Sequence, residues 1–146
     1  MLATTLRTLG ESFLAAEQRT VRELIDCSQS QASLLLRIAQ AGTIGMRTLA
    51  RQTGLEKTAL TRITGALEAR GWISKQPDPV DARALVLVTS PNGLQIARQL
   101  GERLDAAALA LIGGLAPADR AAAERILNRL CALLDTDARV AKPELE

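Results

Sequence analysis

The chain has 146 residues, enough for one domain with a real core, or for a small domain with appended helices. Apolar residues make up 47% of it, which argues against disorder, and no apolar run is long enough to span a bilayer. The net charge is only +2, histidine is absent, and the two cysteines, Cys27 and Cys131, lack metal-ligand spacing. No zinc site, cofactor or catalytic residue is therefore expected.

The N-terminus has no compact basic-then-apolar signal layout, so the expected location is cytoplasmic, where a structural disulfide is not expected either. Leu, Ala, Ile and Val dominate the apolar content and the only aromatics are Phe13 and Trp72, which points to a mainly α protein.

In chain order, Leu2, Leu6, Leu9, Phe13, Ala16, Val21 and Leu24 recur at steps of mainly three and four and predict a first helix over about 2–25. Asp26-Cys27-Ser28 breaks it, and Ser28 or Ser30 caps a second helix that is apolar on more than one side and so belongs mid-fold. That helix is expected to end in a left-handed cap at Gly42. Ile44 is a candidate minimal strand.

A short helix follows over Met46–Gln52, then a turn at Gly54, where positive φ costs glycine little. The next helix runs over Glu56–Arg70, with Leu60, Ile63 and Leu67 as its inner face. Trp72–Lys75 is predicted extended, Gln76–Asp81 a loop because of its prolines and aspartates, and Ala84–Thr89 the return strand. Ser90-Pro91 opens a helix to about Ile112, Gly113-Gly114 ends it, and Pro117 opens a last helix to about Leu134 with a weak cap at Ala116.

Helix, tight turn, helix and β-hairpin in succession is the layout of a winged helix-turn-helix, which inserts one helix into a DNA groove. The expected fold is mainly α: a winged helix-turn-helix at 28–90, flanked by N- and C-terminal helices at 1–27 and 91–135 forming a dimerisation domain, with a tail at 136–146. The outer helices carry more apolar surface than one small winged core can cover, and a second copy about a two-fold axis is the simplest cover. A monomeric bundle with an embedded winged module is the alternative. Charge is distributed to match: residues 46–83 hold seven basic and four acidic side chains, an excess of +3, against −1 for the remainder.

The pattern Leu49-Ala50, Gly54-Leu55, Thr58, Thr61-Arg62, Leu67-Glu68, Gly71-Trp72-Ile73, Asp81-x-Arg83, Val86-x-Val88-Thr89 and Gly93 resembles the MarR family of bacterial transcription regulators. Element order extends the resemblance over nearly the whole chain. The stretch between Asp81-x-Arg83 and Thr89 is one residue shorter than in the family and the link to Gly93 one longer, which leaves the hairpin register open.

The resemblance implies that the helix from Glu56 reads the major groove of double-stranded DNA. There Lys57 would neutralise a phosphate, Thr58 and Thr61 would offer hydroxyls, and Arg62 would pair with guanine for about 1–3 kcal/mol of discrimination. Ala59, Thr61, Thr64 and Gly65 are small residues that would allow close approach. By the same resemblance Arg83 enters the minor groove and Asp81 orients it, while Arg47, Arg51 and Lys75 are candidate phosphate contacts. Trp72 is expected in the hairpin core rather than against a base.

The partners implied are a pseudo-palindromic operator, a second copy of the chain, and a small-molecule effector for which Ser12, Arg19 and Arg22 are candidate anion contacts. Cys27, placed at the end of the first helix, is the candidate redox residue of an alternative, oxidant-sensing regulator. A winged-helix module for protein–protein contacts is the rival class. An enzyme is not expected.

Overall fold

The computed structural model describes residues 1–140; positions 141–146 of the expected tail lie outside the described residues. Its elements are α1 (Leu2–Leu24), α2 (Gln29–Ala41), β1 (Thr43–Gly45), α3 (Met46–Thr53), α4 (Lys57–Ala69), β2 (Ile73–Pro77), β3 (Leu85–Thr89), α5 (Pro91–Gly113) and α6 (Pro117–Val140). Two compact units divide inside α5, Met1–Asp105 and Ala106–Glu146.

In the first unit α2 lies between two apolar clusters, as its all-round apolar sequence requires. Leu34, Leu35 and Ile38 join Ile44, Leu49, Leu60, Leu67, Trp72 and Leu87 in the larger one. Ala32 joins Val21 of α1 and Leu100 of α5 in the smaller one. Each fully buried leucine stabilises the fold by about 1.5–3 kcal/mol relative to exposure, so this unit holds its shape by core packing.

Helix α2 starts on a capping box: the Ser28 hydroxyl accepts from the Gln31 amide at 3.1 Å, and the Gln31 side chain accepts from the Ser28 amide at 3.1 Å. It ends at Gly42 with φ +72° and ψ −56°. That is not the left-handed helical cap expected there, but the sharper turn needed to send the chain straight into β1.

The sheet order is β1-β3-β2, antiparallel throughout, with Ile44 opposite Leu87 in the minimal strand β1. The hairpin register is Ile73↔Thr89, Lys75↔Leu87 and Pro77↔Leu85. The strand thus runs two residues past Lys75, and Gln76 and Pro77, expected in the loop, are paired. Proline is accepted here because β2 is an edge strand and its last residue needs no further ladder donor.

Ser90 binds the hairpin to α5. Its amide donates to the Trp72 carbonyl at 2.9 Å, its hydroxyl donates to the Gly71 carbonyl at 2.6 Å, and that same oxygen accepts from the Gly93 amide at 2.9 Å. The approach is so close that a Cβ on Gly93 would lie 1.9 Å from the Trp72 carbonyl oxygen. Only glycine fits.

In the second unit Arg120 ties the start of α6 back to the turn that precedes it. Its guanidinium donates to the carbonyls of Gly113, the last residue of α5, at 2.8 Å and of Leu115 in the turn at 2.9 Å. Helix α6 continues to Val140, so positions 136–140 are helical rather than part of a tail. No helix among the described residues is long and apolar enough to cross a membrane.

Candidate nucleic-acid interface

A three-residue turn, Gly54-Leu55-Glu56, joins α3 to α4, and Gly54 opens it in the left-handed conformation (φ +68°, ψ 5°). Thr53 closes the corner: its hydroxyl donates to the Leu49 carbonyl at 2.8 Å and accepts from the Leu55 amide at 3.4 Å. Glu56 is the N-cap of α4 and makes no side-chain cap bond, so the helix proper begins at Lys57.

Helix α4 has two unlike faces. Leu60, Ile63, Thr64 and Leu67 are buried, while Lys57, Thr58, Thr61 and Arg62 are exposed. Arg47 and Arg51, one turn apart on α3, are exposed as well. Among the described residues none of Arg47, Arg51, Lys57, Arg62 or Arg83 is ion-paired, so five cations face solvent uncompensated.

Thr64 departs from expectation. Instead of lying on the outer, small-residue face it is fully buried, with its hydroxyl donating to the Leu60 carbonyl at 2.8 Å. The self-contained bond lets a polar side chain enter the core without an orphaned donor. Ala59 and Gly65 are half-buried, and only Thr61 of the four small residues is exposed.

Lys75 also differs from a free phosphate contact. Its side chain is 19% exposed and its ammonium lies 3.6 Å from the Glu68 carboxylate. The wing tip is built by two aspartates: Asp78 accepts from the Val80 amide at 2.8 Å, and Asp81 accepts from the Arg83 amide at 3.0 Å. Asp81 therefore shapes the main chain that carries Arg83 and bonds its amide, leaving the guanidinium free in solvent. Such side-chain-to-amide turns suit aspartate.

Trp72 is buried in the larger core, as expected of a hairpin residue. Sequence reasoning passes over Arg70, whose guanidinium stands 4.8 Å from the Trp72 ring centroid. The only signal for it is the adjacency of a cation to the chain's single tryptophan.

Cys27 lies beyond the end of α1, in the joint before α2, half-buried against both core clusters. Burial pushes its thiol above the ordinary value; the Arg70 cation and the Ala32 amide pull it back and Asp26 raises it further. Its Sγ donates to the Ser28 carbonyl at 3.4 Å.

A cleft of about 250 Å³ opens between α1, α2 and the first half of α5, with Val21, Leu36 and Leu104 as apolar walls and Glu17, Gln29 and Arg37 as polar ones. Of the anion contacts expected, Ser12 and Arg19 line neither this cleft nor a smaller one of about 170 Å³, and Arg22 lines only the latter, beside Cys27. Among the described residues no group of three or more metal-ligating side chains gathers.

An exposed, basic outer helix face, a three-residue turn and a charged β-hairpin define a winged helix-turn-helix protein. Residues 27–85 match the model of the MarR family. Members of that family are transcription regulators, not enzymes. The curated protein MarR of Salmonella typhimurium is 32% identical over 79 residues, which is 54% of this chain and 55% of the relative. The match thus spans about half the length of the curated relative.

Among solved structures, a mutant MarR from E. coli has a TM-score of 0.79 at 21% identity, covering 90% of this chain and 96% of that one. The same mutant complexed with operator DNA has a TM-score of 0.70 at 23% identity, covering 86% and 93%. The PcaV regulator of Streptomyces coelicolor, in complex with its natural ligand, has a TM-score of 0.69 at 22% identity, covering 90% and 95%.

Proposed function

We propose that this protein is a cytoplasmic, homodimeric, sequence-specific DNA-binding transcription regulator, and that it acts as a repressor released by a small molecule. The observation that carries the reading is the division of α4: a buried inner face of Leu60, Ile63, Thr64 and Leu67, and an outer face offering the side chains of Lys57, Thr58, Thr61 and Arg62, which have no ion-pair or side-chain hydrogen-bond partner among the described residues. Lys57 meets a phosphate, the threonine hydroxyls meet phosphate or base edges, and Arg62 reads guanine. Arg47 and Arg51 add phosphate contacts from α3, and Arg83 reaches the adjacent minor groove from the wing. That a mutant E. coli MarR of the same fold is seen complexed with operator DNA supports DNA as the partner.

Dimerisation is supported by apolar surface that each unit leaves uncovered. Leu6, Leu9, Phe13 and Leu14 of α1 are 40–50% exposed, and Ile126, Leu127, Leu133 and Leu134 of α6 are 45–68% exposed. Side chains of this size on monomer surfaces in such numbers mark an interface. The two reading helices would then address half-sites about 34–36 Å apart.

The effector reading is supported by the cleft lined by Val21, Leu36 and Leu104 together with the polar side chains of Glu17, Gln29, Ser33, Arg37 and Gln40, a mixed lining that suits a small polar organic molecule. A thiol-released regulator receives less support, because burial of Cys27 disfavours the reactive thiolate.

The test is binding of the purified protein to its own promoter against random DNA across a salt series. The reading expects a preference of at least about 10³-fold, with affinity falling steeply as salt rises. Equal affinity for both DNAs removes sequence-specific regulation, and weak, salt-insensitive binding leaves protein–protein docking as the use of this module.

A further inference from the structure

Arg70 is the C-cap residue that follows Ala69, the last residue of the reading helix α4. Its guanidinium donates to the main-chain carbonyl of Asp26, 44 positions earlier in the chain, in the joint between α1 and α2. The same guanidinium lies over Trp72 at 4.8 Å, which holds its plane in place. The joint is itself well defined. The Cys27 amide donates to the Ile25 carbonyl at 2.9 Å, Ser28 caps α2, and Ile25 and Cys27 pack against both apolar clusters.

We propose that Arg70 is a positioning residue that couples the α1–α2 joint to the C-terminal end of the reading helix. The core contacts between α2 and α4 are apolar and non-directional, whereas a bond from a planar donor to one carbonyl is directional. A displacement of α1 that moves Asp26 is thereby transmitted to the end of α4. The functional consequence rests on the DNA-binding reading above, whereas the link itself does not.

The thiol of Cys27 reports on the link, because burial and the Arg70 cation act on it in opposite directions. The experiment uses the full chain with Cys131→Ser, so that alkylation by iodoacetamide reads Cys27 alone, and compares Arg70→Gln and Arg70→Lys. With the cation removed and the joint intact, the alkylation midpoint moves to higher pH in Arg70→Gln and is largely restored in Arg70→Lys. An unmoved midpoint, or one moved to lower pH as the joint opens to water, overturns the proposal.

Fluorescence of the single tryptophan, Trp72, should rise in Arg70→Gln as the stacked cation is lost, and no change counts against the contact. On the protein's own promoter Arg70→Gln should bind about tenfold more weakly, with Arg70→Lys between it and wild type. A thiol shift with unaltered promoter affinity overturns the coupling. If wild type itself does not bind that DNA, the functional reading fails, and the thiol and fluorescence readouts still decide the link.

Discussion

The carboxylate of Glu68 holds Lys75 at two points, accepting its backbone amide at 3.1 Å and facing its ammonium at 3.6 Å. Glu68 is on α4 and Lys75 on the edge strand β2, so the contact fastens the reading helix to the wing and occupies an outward amide of an unprotected edge. Glu68→Ala should lower stability by about 1 kcal/mol, because exposed pairs contribute little and the freed amide returns to water. Glu68→Gln keeps an acceptor for the amide and should lose less. Urea denaturation of both variants measures the difference, and equal losses would mean that the ion pair, not the amide bond, holds the strand.

Gly93→Ala places a methyl against the Trp72 carbonyl, and neither backbone can retreat without breaking the Ser90 bonds that join the hairpin to α5. Overpacking of this kind costs about 1–3 kcal/mol, and a backbone obstacle puts this variant at or above the upper end. A denaturation midpoint within error of wild type would show that α5 can shift along the hairpin.

Thr64 and Thr61 make a paired test of the two faces of α4. Thr64→Val removes a bond internal to the helix and should change stability by no more than about 1 kcal/mol while leaving DNA affinity as it is. Thr61→Val should weaken DNA binding with stability unchanged. Arg62→Ala should relax base preference, and Arg83→Ala should weaken binding to all sequences alike. Binding assays on promoter DNA and on single-base variants distinguish the four; exchanged outcomes for Arg62 and Arg83 would exchange their roles.

Phe13→Glu puts a charge into the apolar stripe of α1 without touching the buried core, since Phe13 is 40% exposed. Sedimentation should show a shift from dimer to monomer at micromolar concentration. A variant that stays dimeric would place the interface elsewhere.

Much of the fold is legible in residue order because its cues are local. Gly54 with Thr53, Ser28 with Gln31, and Ser90 before Pro91 each mark a helix end through bonds spanning three or four residues. The inner face of α4 follows from Leu60, Ile63 and Leu67 at helical spacing. Thr64 is misread because residue type argues for the surface while its position, one turn after Leu60, argues for the core; position wins, since the hydroxyl finds its acceptor within the helix. Gly42 is recognised as an ending, but its ψ depends on where β1 must start.

The sequence by itself determined the element order, the turn residues, the apolar clusters and the set of basic side chains from which a DNA surface is built, because each depends on periodicity or on a residue's own conformational preferences. Only the tertiary structure decided which of those cations are free. Lys75 and Arg70 are as basic in sequence as Arg62 and Arg47. Folding sets Glu68 against the first and the Asp26 carbonyl and Trp72 ring against the second, and it leaves the other two in solvent. The physical reason is distance along the chain. A partner 7 or 44 residues away has no local signature, and its charge is felt only once packing brings the two elements together.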